Sequence, residues 1–126
     1  LETIGVTVIG YGCDEMPAFW ARSSGIAVDG RVDTPDEVAA LNRARNDLGI
    51  GGAVLICKPV TADLAIDIDT IEGWIEGCID AAPAGAAATP WLLAEIAKCS
   101  DGRSLAANKQ LIIDNAGLAG AIAAAL

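Results

Sequence analysis

The sequence predicts a layered α/β fold: an α/β/α sandwich to which this chain supplies part of the sheet and several covering helices. Two short apolar runs, Ile4-Gly5-Val6-Thr7-Val8-Ile9 and Ala53-Val54-Leu55-Ile56-Cys57, read as buried strands. The segments around them carry apolar residues at helical spacing, with Gly and Pro at the borders. Two or three strands make a thin sheet, which implies further strands from elsewhere.

The first strand runs from about Gly5 to Ile9 and ends in the glycine-flanked Tyr11. Glycines there allow a tight turn that other residues avoid. Tyr11 to Ser24 reads as irregular, with Pro17 in the first turn of a short helix, Ala18-Phe19-Trp20-Ala21. Gly30 to Asp33 reads as a brief extended segment. The clearest helix start is Thr34-Pro35-Asp36-Glu37, with an N-cap hydroxyl, a proline at N1 and a carboxylate at N3. Val38, Leu41, Ala44 and Leu48 follow on one face, and Gly49 ends the run.

The second apolar run is continuous, as in a buried parallel strand, and stops at Pro59. Asp67 or Asp69 caps the next helix, whose stripe is Ile71, Trp74, Ile75, Cys78 and Ile79. A Pro-, Gly- and Ala-rich connection from Ala81 to Ala88 leads to a second Thr-Pro start at Thr89-Pro90. Asp101-Gly102 breaks that helix, and Ser104 is the expected N-cap of a last helix to about Ala125. No repeat or linker divides residues 1–126, so they read as a single unit.

Composition narrows the function classes. The chain is 53% hydrophobic but only 4% aromatic, so Ala, Ile, Leu and Val must build the core. It has no uncharged apolar run of about 18 residues, which argues for a soluble protein with no membrane partner. A net charge of −9, with no cluster of Lys or Arg, argues against a nucleic-acid partner. A small phosphorylated substrate is compatible, because it needs only a few local donors. With no histidine, the chain offers neither a Ser-His-Asp nor a Cys-His nucleophile system. Cys13, Cys57, Cys78 and Cys99 lack a C-x-x-C pair and read as buried, small apolar thiols of a reducing compartment.

Few residues carry candidate chemistry. Gly49-Ile50-Gly51-Gly52 precedes a strand, so it reads as a helix-to-strand turn and not as a phosphate loop. Asp63, Asp67, Asp69 and Glu72 do not match a calcium loop, and capping explains them better than a metal site. Lys58 sits at a strand's C-terminal end, where α/β sheets bind ligands; it is either a solvated lysine or a group for phosphate or imine chemistry. Arg22, beside Phe19-Trp20, either stacks on a ring, holds a carboxylate or serves a subunit contact; Tyr11 is similarly open. Asn108, one turn inside the last helix, is a poor helix former whose amide suits a polyhydroxylated ligand, or it is a helix-packing asparagine.

The order Gly10-Tyr11-Gly12, Pro17-Ala18-Phe19, Arg22-Ser23-Ser24-Gly25, Arg31-Val32-Asp33, Thr89-Pro90 and Gly102-Arg103-Ser104-Leu105 resembles the pseudouridine-5'-phosphate glycosidase family (indigoidine synthase A-like). The match runs along the whole chain but covers only the C-terminal part of that family's domain. The resemblance implies reversible cleavage of pseudouridine 5'-phosphate to uracil and ribose 5-phosphate through a lysine imine. It also implies a manganese ion held through an aspartate, a homotrimer and a cytoplasmic location. The lysine, the proton donor and the metal ligand would lie upstream, and Leu1-Glu2-Thr3 looks like the tail of that segment. No catalytic or metal residue is therefore assigned in this chain. Ser104-Leu105-Ala106-Ala107-Asn108 matches the family's Ser-Leu-x-x-Asn motif, which makes Asn108 the substrate-binding residue; Asn115 also matches, with a structural role. Lys58 departs from the asparagine expected before the proline. The other reading is a catalytically silent structural or interaction module derived from the same fold. The isolated chain, with a half-built sheet, is expected to be poorly stable; a sharp, cooperative thermal melt of the isolated monomer contradicts this.

Overall fold

The computed structural model describes residues 5–126, so the reading of Leu1-Glu2-Thr3 lies outside the described residues. Three strands form a parallel sheet in the order β2-β1-β3: β1 Thr7–Tyr11, β2 Gly30–Val32 and β3 Val54–Cys57. Four α-helices accompany it: α1 Pro35–Asp47, α2 Ile68–Cys78, α3 Ala88–Cys99 and α4 Arg103–Ala125. The mixed α/β class expected from the sequence is observed. Strand β1 starts two residues later than the apolar run suggests, because Gly5 turns at φ 71° and the ladder begins only at Thr7↔Val54.

Parallel pairing of β1 with β3 requires a crossover, and α1 supplies it. Thr34 and Glu37 form the expected capping box. The Thr34 hydroxyl accepts from the Glu37 N–H at 3.2 Å, and the Glu37 carboxylate accepts from the Asp33 and Thr34 N–H groups at 2.6 and 3.0 Å. The strands' carboxyl ends then share one edge of the sheet. There the chain turns back after β1 at Gly10-Tyr11-Gly12. A Cβ on Gly10 would lie 2.0 Å from the Cys13 carbonyl oxygen, so no larger residue fits without moving backbone. Gly12, at φ 69°, donates its N–H to Val32 O at 2.8 Å and ties the turn to β2.

Three local expectations are corrected. Ala18-Phe19-Trp20-Ala21 is not helical. Ala18 and Ala21 exchange both backbone hydrogen bonds at 3.0 Å, and Phe19 turns at φ 58°, so the peptide groups that a helix needs are already paired across a tight turn. Helix α3 starts at Ala88, led in by a 3-10 turn over Gly85–Ala87, so Thr89 falls inside the first turn and makes no side-chain cap. Ser104 is likewise inside α4 and not its N-cap. The N-cap is Gly102 in the left-handed region at φ 78°, and Ser100 Oγ accepts from the Ser104 N–H at 3.1 Å. At the start of the second helix, Asp67 is the cap of α2, accepting from the Asp69 and Thr70 N–H groups at 3.1 and 3.3 Å.

The main core lies beside the sheet and not on it. Trp20, Ala21, Val60, Ile66, Ile71, Ile96 and Ala107 form one buried cluster joining the 18–21 turn, the segment after β3, and helices α2, α3 and α4. Helix α4 buries only Ser104 and Ala107 at its start, whereas Ile112 and Ile113 remain 71% and 62% exposed. Among the described residues no helix is long and apolar enough to cross a membrane.

Two outcomes follow for the full polypeptide that carries this sequence. Gly10→Ala should cost roughly 1–3 kcal/mol, as overpacking does; an unchanged thermal midpoint would show that the turn is not sterically closed. The Asp33 and Thr34 amides hold the Glu37 carboxyl below its ordinary 4.5. Its stabilisation is therefore complete above that value and is lost as pH falls through the lower folded value. Glu37→Gln should flatten the acid limb of the stability profile, and an unaltered limb contradicts this.

Candidate functional site

A cleft of about 720 Å³ opens beside the carboxyl end of β3. One wall is strand end: Ile56, Cys57 and Lys58. The other is a single face of α4, where Asn108, Leu111, Ile112, Asn115, Leu118, Ala119 and Ile122 recur every three or four residues. Pro17 and Phe19 close the end nearest the 18–21 turn. Ligands of open α/β sheets bind outside the carboxyl ends of strands, and this cleft has that placement.

The walls are apolar with a few polar groups, as small-molecule sites are. Lys58 is the cation among them. Its Nζ lies 3.9 Å from Asp114 Oδ2, and Asp114 Oδ1 accepts from Gln110 Nε2 at 2.8 Å. Asn108 and Asn115 are seven residues apart, two helical turns or about 10 Å along the axis. Both carboxamides therefore lie along the same wall.

Asn108 is held from behind. The Trp20 indole N–H donates to Asn108 Oδ1 at 2.8 Å and to the Ser104 carbonyl at 3.1 Å. Trp20 is only 4% exposed, and its own carbonyl accepts from the Ile66 N–H at 2.9 Å. Phe19 packs edge-on against Trp20, with ring centroids 4.6 Å apart, and leaves its other side to the cleft.

The remaining sequence candidates separate. Among the described residues Arg22 neither stacks on a ring nor meets a carboxylate; its guanidinium donates to the Val60 carbonyl and braces the chain after β3. Gly49, at φ 66°, forms the turn between α1 and β3 away from the cleft. Asp67 is spent on its cap. Among the described residues no three His, Cys, Asp or Glu side chains gather as a metal would require. Cys57 lines the cleft beside Cys13, whose Sγ lies 3.6 Å from the Cys57 carbonyl. Burial pushes both thiols up, and Cys13 adds to the effect at Cys57. They are therefore poor nucleophiles near neutral pH.

Asn108 and Lys58, both singled out in the sequence, line the cleft, whereas three other features of it were not read there. The seven-residue spacing of Asn108 and Asn115 could have placed both on one wall. Nothing local signals the Trp20–Asn108 contact, which spans 88 positions, or the outward turn of Phe19.

With this geometry, similarity to known proteins becomes informative. Residues 1–125 match the family described as indigoidine synthase A like protein. The chain is 43% identical over 130 residues to a pseudouridine-5'-phosphate glycosidase of Gemmatimonas aurantiaca, covering 100% of this chain and 42% of that protein. A glycosidase of the same name from Mesorhizobium japonicum is 44% identical over 130 residues, covering 100% of this chain and 43% of that protein. The chain thus spans less than half the length of these relatives. Among solved structures, an indigoidine synthase A-like protein of Thermotoga maritima superposes with TM-score 0.89 at 32% identity, covering 98% of this chain and 41% of that one. The prealnumycin C-glycosynthase AlnA, in complex with ribulose 5-phosphate, superposes with TM-score 0.86 at 32% identity, covering 100% of this chain and 43% of that one. A match along nearly every residue, joined to the same fold at this level of identity, places the chain in the indigoidine synthase A-like family.

Proposed function

We propose that this chain forms one side of the substrate cleft in a glycosidase that reversibly cleaves pseudouridine 5'-phosphate to uracil and ribose 5-phosphate. The observation that carries this reading is the cleft at the β3 carboxyl end, with Asn108 on its helical wall, in a chain 43% identical to a glycosidase of that name. In the overall reaction one water is consumed: the C–C bond between sugar and base breaks, the base carbon gains a proton, and the sugar carbon gains oxygen.

In this reading the attacking lysine, which forms an imine with the opened sugar, lies in the part of the enzyme outside this chain. So do the proton donor and the aspartate that holds manganese. The residues here bind and orient. Asn108 offers its amide to a sugar or phosphate oxygen, and hydrogen bonds of this kind to a charged group stabilise by about 1.5–3 kcal/mol. Lys58 brings positive charge to the same cleft, and the apolar α4 face keeps water from the sugar. The upstream half of the enzyme is the principal partner, a homotrimer is the proposed assembly, and the cytoplasm is the proposed location.

The test uses the full polypeptide with pseudouridine 5'-phosphate and follows uracil release. The wild type should release uracil, and Asn108→Ala should lower kcat/KM by roughly 10- to 100-fold, the equivalent of one lost charge-assisted hydrogen bond. A folded protein that releases no uracil would contradict the glycosidase reading and favour a catalytically silent module.

A further inference from the structure

Asn108 can present either end of its amide to a ligand, and the two ends are opposite in character: the oxygen accepts and the nitrogen donates. The structure fixes which end is available. An indole N–H is a donor only, so the group 2.8 Å from Trp20 Nε1 must be the oxygen. Turning the amide over would set donor against donor beside a tryptophan that is 4% exposed. Oδ1 and Nδ2 lie on opposite sides of the amide carbon, so fixing the oxygen on Trp20 directs the Nδ2 hydrogens away from it. Among the described residues Nδ2 has no protein acceptor, whereas Asn108 lines the cleft.

Trp20 itself has little freedom. Its N–H is shared with the Ser104 carbonyl at 3.1 Å in the first turn of α4, and Ile66 holds its backbone carbonyl. Phe19 packs on one edge of its ring. The amide is therefore oriented before any ligand arrives, which lowers the ordering cost of binding.

We propose that Trp20 is a positioning residue: its indole N–H orients Asn108 as a fixed donor into the cleft, selecting a ligand group that accepts hydrogen bonds, such as a sugar or phosphate oxygen. This deepens the proposed function and rests on Asn108 as a substrate contact.

A double-mutant cycle on the full polypeptide separates the two claims. The probes are KM and kcat for pseudouridine 5'-phosphate and the Kd of ribose 5-phosphate. Trp20→Phe keeps an aromatic ring but removes the N–H. It should raise KM and Kd by roughly 3- to 10-fold, the range of one ordinary hydrogen bond, with a smaller change in kcat. In an Asn108→Ala background the same substitution should change binding less than 2-fold. Equal effects in both backgrounds would overturn the positioning role while leaving the Asn108 contact intact. If Asn108→Ala alone leaves binding unchanged, the substrate contact itself fails, and the positioning role fails with it. Asn108→Asp is a second variant that does not disturb Trp20: an oxygen still receives the indole N–H, but an acceptor replaces the cleft-facing donor. It should weaken ribose 5-phosphate binding at least as much as Asn108→Ala, and unchanged binding would overturn the proposal even if Trp20→Phe does not fold.

Discussion

A single indole N–H joins the two ends of this chain. Trp20 lies in a tight turn after β1, whereas Ser104 and Asn108 open the last helix, and the shared hydrogen bond to both holds that helix against the turn. The surrounding packing supports it: Ala21, Val60, Ile66, Ile71, Ile96 and Ala107 are buried around Trp20, so its ring cannot move without opening the core. Helix α4 is largely exposed beyond its first turns, and its far end is held against α1, where the Arg43 guanidinium donates to the Ala125 carbonyl at 3.2 Å; the indole anchor fixes the end of the wall that carries Asn108.

The sheet contributes the opposite wall by a separate constraint. Gly10 lets the chain pass within a distance of Cys13 that no Cβ would tolerate, so β1 can end and turn back beside β3. The parallel register then sets Lys58 just beyond Gly10↔Cys57, at the carboxyl edge. Backbone sterics place the cation and side-chain hydrogen bonding places the amide, and the cleft exists where the two meet.

Much of this was legible because its causes are local. The Thr34-Pro35-Asp36-Glu37 start declares α1 within four residues, and the run ending at Cys57 declares β3 by its unbroken apolar character. Asn108 was marked by its misfit in a helix interior and by the motif around it. Where tertiary pairing decides, local reading failed. Ala18 and Ala21 bond to each other, so the segment that looked helical is a turn. Ser104 looked like a cap, yet it is 1% exposed inside α4, where its N–H meets Ser100 Oγ. The orientation of the Asn108 amide depends on a residue 88 positions away, and no periodicity carries that information.

The most direct measurement is a crystal structure of the full polypeptide with ribose 5-phosphate bound. The account predicts a ligand oxygen within hydrogen-bond distance of Asn108 Nδ2, with the Trp20 indole still on Oδ1. A ligand bound away from the α4 wall, or an Asn108 side chain turned from Trp20 to meet it, would contradict the account.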